Sequence, residues 1–262
     1  MKPEGTWWGE YALESGQTAH WQIGPLDLWI TSDRGEWQVS SKVSDEVDKE
    51  GWSFCCPAET PSPPDSALRL IPGRQVDRIV LDLGLADRPV VARPNQPLRV
   101  LPGQEVELFL STPLWVRLKH PGLASAMVEL PTWRPSDTWF GPNTRQGELC
   151  YAMRTKARSR LEDMPIRAYR ALSLIKLRNH GQDPLPLERL QLPMADFSLF
   201  VDAEGRLWTE TVIVERRING FESEGRLDGP PRELVDIVGR VARSRNEEQG
   251  SPLIRVLKIL MG

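Results

Sequence analysis

The residues best equipped for chemistry lie in one run near the middle of the chain, SDTWFGPNTRQGELCYAMRT, from Ser136 to Thr155. The run combines two aromatic residues, a Gly-Pro turn, two carboxylates and a cysteine, a pattern typical of a loop followed by a strand. Binding and catalytic residues are often found on loops held by rigid strands. We therefore place the candidate site here. Its candidate binding residues comprise polar groups, aromatic walls and an anion contact: Asp137, Asn143, Arg145 and Glu148; Trp139 and Phe140; and Arg154.

The two carboxylates, Asp137 and Glu148, flank the turn formed by residues 140–147. If the turn brings them together, they can act as a general acid and a general base. The alternative is that Asp137 caps the turn through its side chain, as Asp commonly does. The sequence favours the capping role.

The cysteine of the run, Cys150, lies on the predicted strand GELCYAMRT, where strand alternation puts it on the same face as Glu148. A nucleophilic thiolate needs a base or a positive charge nearby to lower its pKa. A neighbouring carboxylate has the opposite effect on the pKa. We therefore expect a buried structural cysteine rather than a nucleophile.

The sequence contains no motif for metal binding, nucleotide binding or serine-nucleophile catalysis. The three histidines, His20, His120 and His180, are far apart and no CxxC occurs, so a zinc site would need ligands from distant segments. Neither phosphate-binding glycine motif, GxGxxG or GxxxxGKS/T, is present, and no GxSxG elbow occurs. We predict no metal and no cofactor, and we lean towards a protein that is not an enzyme.

A basic stretch follows the candidate site directly. Between Arg154 and Arg178 the chain carries eight Lys or Arg against two acidic residues, and therefore has a local net charge of +6. This stretch can contact an anion or a phosphate. A nucleic-acid groove usually interleaves aromatic groups with basic ones, and Tyr169 is the single aromatic residue here. The alternative is a solvated face, or arginines paired with the acidic N-terminal half of the chain, residues 1–130, so nucleic-acid binding is not favoured.

Composition sets broad limits. A chain of 262 residues suits one large domain or two small ones, and its net charge of −3 gives no global attraction to nucleic acid or anionic membrane. Three cysteines argue against a disulfide scaffold. The N-terminus lacks the apolar core of a signal peptide, and no apolar stretch approaches the roughly 20 residues that span a bilayer. We expect a soluble, cytoplasmic protein without membrane insertion.

The elements that must position these residues are predicted to be β-strands. Polar and apolar residues alternate in four short N-terminal segments separated by Gly-containing turns at 15–16, 24–25 and 34–35. Six of the ten tryptophans precede residue 57, and we expect them to fill the core of a small sheet rather than to form an aromatic ligand platform. Later segments predict a strand from Arg170 to Asn179 and a hairpin formed by residues 197–201 and 207–217.

We predict a mainly β fold: antiparallel sheets packed as one or two sandwich-like units, an immunoglobulin-like arrangement being one option, with a C-terminal helix. The helix is predicted near 231–244, where Pro230 and Pro231 precede apolar residues at helical spacing. The proline-rich segment 57–66 predicts a linker. It separates an N-terminal Trp-rich β-meander, 1–56, from a β-sandwich-like region, 67–262, although both can belong to a single domain. The tail 251–262 fits either a helix or a strand.

Several segments resemble one family. They are the WGEY start, RPVV and LPGQEVELFLSTPLWVRL between Arg88 and Leu118, the run from Ser136 to Thr155, and IKLRN to ERLQLP between Ile175 and Pro193. Over nearly its whole length the chain resembles the prokaryotic family catalogued as domain of unknown function 432. The resemblance implies no activity, cofactor or catalytic residue. It does imply a link with small-conductance mechanosensitive channels, and hence a membrane-protein partner.

Three function hypotheses follow. The leading one is a non-enzymatic protein-binding or regulatory module, accessory to a membrane channel. The alternative is an enzyme or a small-anion-binding protein with its site at the 136–155 loop. The third is nucleic-acid binding through residues 154–178. The sequence is compatible with a homo-oligomer as well as with a monomer.

Overall fold

The computed structural model describes residues 5–45, 49–62, 67–72, 77–141, 145, 147–155, 157–216 and 223–247. Apart from two short 3-10 turns at Leu161–Asp163 and Met194–Asp196, these residues form no helix, and the prediction of a mainly β fold is confirmed. The strands, in chain order, are β1 (Gly9–Ala12), β2 (Thr18–Ile23), β3 (Leu26–Asp33), β4 (Glu36–Val43), β5 (Trp52–Cys55), β6 (Leu68–Leu70), β7 (Arg78–Gly84), β8 (Val90–Pro94), β9 (Leu98–Val100), β10 (Glu105–Pro113), β11 (Trp115–Lys119), β12 (Val128–Pro131), β13 (Ser136–Phe140), β14 (Glu148–Thr155), β15 (Arg170–Asn179), β16 (Leu185–Leu187), β17 (Leu190–Leu192), β18 (Leu199–Asp202), β19 (Leu207–Trp208), β20 (Thr211–Arg216), β21 (Ser223–Asp228) and β22 (Ile237–Ala242).

The chain divides into two compact units, each built from three separate segments. Unit 1 comprises Met1–Gly84, Pro113–Arg134 and Ile166–Tyr169. Unit 2 comprises Leu85–Thr112, Pro135–Pro165 and Arg170–Gly262. The boundary predicted between residues 1–56 and 67–262 stays a prediction.

Unit 1 consists of two antiparallel sheets, with strand orders β1-β7-β11-β12 and β5-β2-β3-β4-β6. Its hairpin turns are encoded locally. Between β2 and β3, Gly24 has φ +55° at the first turn position, which is the geometry of a type II′ turn. Between β3 and β4, Arg34 and Gly35 have φ of +48° and +82°, as in a type I′ turn. The three turns predicted in this region are confirmed.

Tryptophans supply much of the apolar core of unit 1. Four of the six N-terminal tryptophans, Trp7, Trp21, Trp29 and Trp37, are buried, which confirms the expected core role for these four. The indole nitrogen of Trp7 also donates to the carbonyl oxygen of Ala168 at 2.7 Å. This bond ties the first segment of unit 1 to its last one.

Unit 2 holds three sheets. The largest has the order β21-β20-β15-β19-β18-β22, and β10 also pairs with β15. A four-stranded sheet has the order β13-β14-β8-β17, and β16 pairs with β9. Most pairs are antiparallel, as predicted, but β15 runs parallel to β19 and β20, and β8 runs parallel to β14. The sandwich-like and immunoglobulin-like arrangements stay predictions.

The predicted C-terminal helix is wrong. Residues 237–242 form β22, which pairs antiparallel with β18. Val235 and Ile237 are buried in the core cluster of Trp208, whereas Val238 is 68% exposed, which is the alternation of a strand. The segment is rich in β-branched residues, which favour strands, and pairing with β18 overrides the helical spacing. The tail 251–262 lies outside the described residues.

The hairpin predicted over residues 202–205 is confirmed as the connection between β18 and β19. Its turn is organised by Asp202, whose side chain is buried. The carboxylate accepts hydrogen bonds from the backbone N–H groups of Glu204 and Arg206, from Nε of Arg206 and from Nε1 of Trp208, at 2.6–3.0 Å. One side chain thus fixes a tight turn and orients the central tryptophan of the unit 2 core.

Candidate functional site

The Ser136–Thr155 run forms a hairpin in unit 2. Its first part is a strand, β13, which pairs with β14 so that Asp137 is opposite Tyr151, Trp139 opposite Leu149 and Phe140 opposite Glu148. The sequence predicted only the second strand. Asn143, one of the candidate binding residues, lies outside the described residues.

Strand pairing divides the candidate residues between two faces of the sheet. Paired residues share a face and successive residues alternate. Asp137 and Trp139 therefore lie on one face with Tyr151 and Leu149, whereas Phe140, Glu148 and Arg154 lie on the other. Asp137 and Glu148 are not brought together, so the geometry gives no acid and base pair. Arg154 shares the face of Glu148, but six residues of extended chain, about 20 Å, separate them.

Asp137 belongs to a small polar cluster on the first face. Its Oδ1 lies 3.4 Å from a guanidinium nitrogen of Arg88. The Arg88 guanidinium also lies over the ring of Tyr151, at 5.6 Å from the ring centre, and the Tyr151 hydroxyl donates to Asp87 at 2.9 Å. Asp137 therefore helps to hold Arg88 in place.

Two large apolar side chains are exposed next to this cluster. Trp139 is 43% exposed and its cross-strand neighbour Leu149 is 45% exposed. A Cβ atom at Gly147 would lie 2.4 Å from Nε1 of Trp139, so the absence of a side chain at Gly147 allows the indole to lie against the strand. We call Trp139 and Leu149 the exposed apolar pair.

Cys150 lies on the second face and is fully buried with Val91 and Phe140. Burial raises the pKa of the Cys150 thiol to about 11, although a hydrogen bond from Gln191 acts in the opposite direction. Gln191 also donates to Oε1 of Glu148 at 2.6 Å. The expectation of a buried structural cysteine is confirmed, and Phe140 packs on this thiol instead of standing as an exposed wall. The other two cysteines, Cys55 and Cys56, are free and partly exposed.

Arg154 belongs to a row of three arginines on the second face. It pairs in parallel register with Arg93 of β8. On the other side of β8, Leu190 pairs with Ala92 in antiparallel register, so the preceding residue, Arg189, lies across from Arg93. We call Arg189, Arg93 and Arg154 the arginine row.

Among the residues that the structure describes, no carboxylate or other group forms a hydrogen bond or an ion pair with the guanidinium groups of Arg93, Arg154 or Arg189, and the buried Nε of Arg93 has no acceptor there. Burial lowers the pKa of Arg93, and the positive charges of Arg189 and Arg154 lower it further. Sequence reasoning found Arg154 but missed Arg93 and Arg189, because only the pairing of three distant segments brings them together.

A cavity lies next to the chain segments that follow β8 and β14, the strands that carry Arg93 and Arg154. Its volume is about 290 Å³. It is lined by residues that come directly after β8 and shortly after β14, namely Pro94, Asn95, Gln96, Leu98, Ala157 and Arg158. Amide, guanidinium and small apolar groups therefore line the space at the carboxyl ends of the two parallel strands.

Three other cations of the basic stretch, Arg170, Lys176 and Arg178, have partners. Nε of Arg170 donates to the hydroxyl of Ser111 at 3.0 Å. Lys176 contacts Glu107 and Glu233, and Arg178 contacts Glu105 and Glu215. The predicted pairing with the acidic N-terminal half is confirmed for these two residues through Glu107 and Glu105, whereas Glu233 and Glu215 belong to the other half of the chain. These charges therefore do not form one continuous basic face.

The described ranges contain neither a metal-binding cluster nor a membrane-spanning helix. No three His, Cys, Asp or Glu side chains there are grouped so that they could hold a metal ion. No helix of that part of the chain is long and apolar enough to cross a membrane.

Comparison with known proteins identifies the family. No curated protein and no solved structure matches the chain. A family model described as a protein of unknown function, DUF432, matches residues 7–261, which is nearly the whole chain. The resemblance carried by the WGEY start, the run from Ser136 to Thr155 and the other segments named above is thereby confirmed, and the chain belongs to the DUF432 family.

Proposed function

We propose that the chain is a non-enzymatic protein-binding module that meets its partner at the β13–β14 hairpin. The observation that carries this proposal is the exposed apolar pair, Trp139 and Leu149, which lie side by side and are 43% and 45% exposed. Exposed apolar side chains that adjoin one another are typical of interaction sites. Tryptophan in particular is enriched among the residues that contribute most to protein–protein affinity.

Charged and polar groups surround this apolar centre. The Arg88–Asp137 pair lies along the same face, and Arg145 is exposed in the turn of the hairpin. An apolar centre with a polar rim is the usual composition of a protein interface. The partner surface is therefore expected to present an apolar side chain for Trp139 and Leu149, with polar groups opposite Asp137 and Arg145.

The family link gives the first partner to test. The resemblance to this family implies an association with small-conductance mechanosensitive channels, so a water-exposed segment of such a channel is the first candidate. In this proposal the chain is an accessory or regulatory protein of the channel, and it performs no chemistry on it.

The test compares two double variants of the full chain. Trp139→Ser with Leu149→Ser removes the exposed apolar pair. Leu234→Ser with Val238→Ser removes two other exposed apolar side chains of unit 2, which are 43% and 68% exposed. Loss of one interface hot spot weakens binding by about 2 kcal/mol, or roughly 30-fold. We expect at least that loss for the first variant and unchanged affinity for the second, measured with the purified channel segment after both variants pass a thermal unfolding check.

Two results would contradict the proposal. One is a partner that binds the Trp139 and Leu149 variant as tightly as the unmodified chain. The other is a chain that elutes as a lone monomer in size-exclusion chromatography and co-purifies with no partner from its native cell.

A further inference from the structure

The arginine row differs from three other cations of unit 2, which contact carboxylates. Arg206 contacts Asp202 and Glu204, Lys176 contacts two glutamates and Arg178 contacts two more. In the described part of the chain, the charged groups that shift the pKa of Arg93 are both positive: Arg189 and Arg154, which lower it. The row is therefore an uncompensated concentration of positive charge.

Such a row is unfavourable in the protein alone. Like charges directly opposite one another on neighbouring strands destabilise a sheet. A buried N–H donor without an acceptor, such as Nε of Arg93, adds a further unfavourable contribution. Neighbouring strands are about 4.8 Å apart, so the three Cα atoms span about 10 Å. An anion placed among the guanidinium groups would remove both penalties.

We propose that the arginine row binds the phosphate group of a small phosphorylated molecule. A phosphate monoester carries a charge of about −1.5 to −2 at pH 7 and offers three acceptor oxygens. Guanidinium groups bind phosphate through paired, charge-assisted hydrogen bonds. A carboxylate offers two oxygens and a single negative charge, which would leave most of the positive charge of the row uncompensated.

The cavity after β8 and β14 suits the organic part of such a ligand. Its volume of about 290 Å³ is at the lower end of small-molecule sites. Asn95 and Gln96 offer amide groups to hydroxyl oxygens, and Leu98 and Ala157 offer apolar contact. The ligand is therefore a small polar molecule with one phosphate group.

This site is separate from the proposed protein-binding surface. Leu149 and Arg154 lie on opposite faces of β14 and are five residues, about 17 Å, apart along the strand. Removal of the arginine row is therefore expected to leave partner binding unchanged. Conversely, removal of the exposed apolar pair is expected to leave phosphate binding unchanged.

The first test measures affinity by isothermal titration calorimetry on the full chain at low salt. The probes are inorganic phosphate, glycerol phosphate and acetate, and the variants are Arg93→Gln, Arg154→Gln and, as control, Arg226→Gln. The control removes the same charge from an exposed position of β21. We expect glycerol phosphate to bind at least tenfold more weakly to the Arg93 and Arg154 variants, to bind the control normally, and to outcompete acetate.

The second test separates a ligand site from a structural role. If the row is held for a ligand, Arg93→Gln removes repulsion and does not lower the melting temperature in phosphate-free buffer. Glycerol phosphate then raises the melting temperature of the unmodified chain but not that of the variant. A flat titration of the unmodified chain overturns the proposal, as does equal affinity in the Arg93 variant. An oligonucleotide that binds the row more tightly than glycerol phosphate, with a steeper salt dependence, also overturns it and assigns the row to nucleic acid.

Discussion

At the scale of single residues, unit 2 holds two charged groups in opposite situations. The buried carboxylate of Asp202 accepts four hydrogen bonds, whereas the buried Nε of Arg93 has no acceptor. Burial would raise the pKa of Asp202, but hydrogen bonds from Trp208 and Arg206 outweigh burial and hold the pKa below its ordinary value of 3.8. Asp202 therefore stabilises the fold. The unpaired Nε of Arg93 instead lowers the stability of the fold, and the proposed phosphate ligand would offset this loss.

Asp202→Asn is expected to lower the free energy of unfolding at pH 7 by about 3 kcal/mol, because it breaks a buried charged pair and turns an amide N–H₂ towards donors. A carboxylate with a lowered folded pKa contributes its stability above the unfolded pKa, and the contribution is lost as the pH falls through the folded value. The unmodified chain should therefore lose more stability than the variant between about pH 5 and pH 2.

Urea unfolding at a series of pH values checks this expectation. Asp163→Asn, which changes an exposed carboxylate of unit 2, is the control and should leave the stability within about 0.5 kcal/mol. Equal pH slopes for the unmodified chain and Asp202→Asn would show that Asp202 does not have the assigned role.

At the scale of elements, two turns of unit 1 depend on backbone conformations that favour glycine. Gly24 has φ +55°, and a Cβ atom there would lie 2.1 Å from Cδ1 of Tyr169. Gly16 has φ +86° but no heavy atom within 4 Å of the same position. The two glycines thus share a positive φ and differ in their surroundings.

The pair makes a matched test of close packing. Gly16→Ala is expected to lower the free energy of unfolding by about 1 kcal/mol, because alanine is strained at a positive φ. Gly24→Ala is expected to cost about 2 kcal/mol more, because Tyr169 must also move. Chemical denaturation of both variants gives the difference, and equal losses of stability would mean that Tyr169 yields without cost.

Sequence patterns predicted the elements whose signals are local, and missed those whose partners are distant. The alternation of β2 to β4 and the glycines of their turns were sufficient to predict the meander of unit 1. In contrast, the helical spacing of residues 231–244 predicted a helix, but residues 237–242 form a strand because they pair with β18. The candidate site follows the same division. Arg154 could be predicted as an anion contact because it begins a basic stretch. Arg93 and Arg189 could not be predicted, because only the register of β17, β8 and β14 places them beside Arg154.

At the scale of the whole molecule, each compact unit draws on separated parts of the chain. Unit 1 contains five strands before residue 57, yet the first of them, β1, pairs with β7, and Trp7 donates to Ala168. Gly24 also packs against Tyr169. Folding of unit 1 therefore depends on segments that are distant in sequence.

A fragment of residues 1–56 is expected not to fold cooperatively, because β1 loses its partner strand and the core loses its contacts with Ala168 and Tyr169. Circular dichroism on heating and the dispersion of an amide NMR spectrum provide the measurement, with the full chain as reference. A dispersed spectrum and a single sharp transition for the fragment would instead support the predicted N-terminal domain.

The distribution of the three thiols has a practical consequence. Cys150 is buried in unit 2 with a pKa raised by burial to about 11, whereas Cys55 and Cys56 are partly exposed in unit 1. Near neutral pH a maleimide dye should therefore attach to unit 1 alone, without any engineered cysteine. The natural sequence thus provides a fluorescent reporter for one unit, with which its unfolding can be followed while the other unit remains unlabelled.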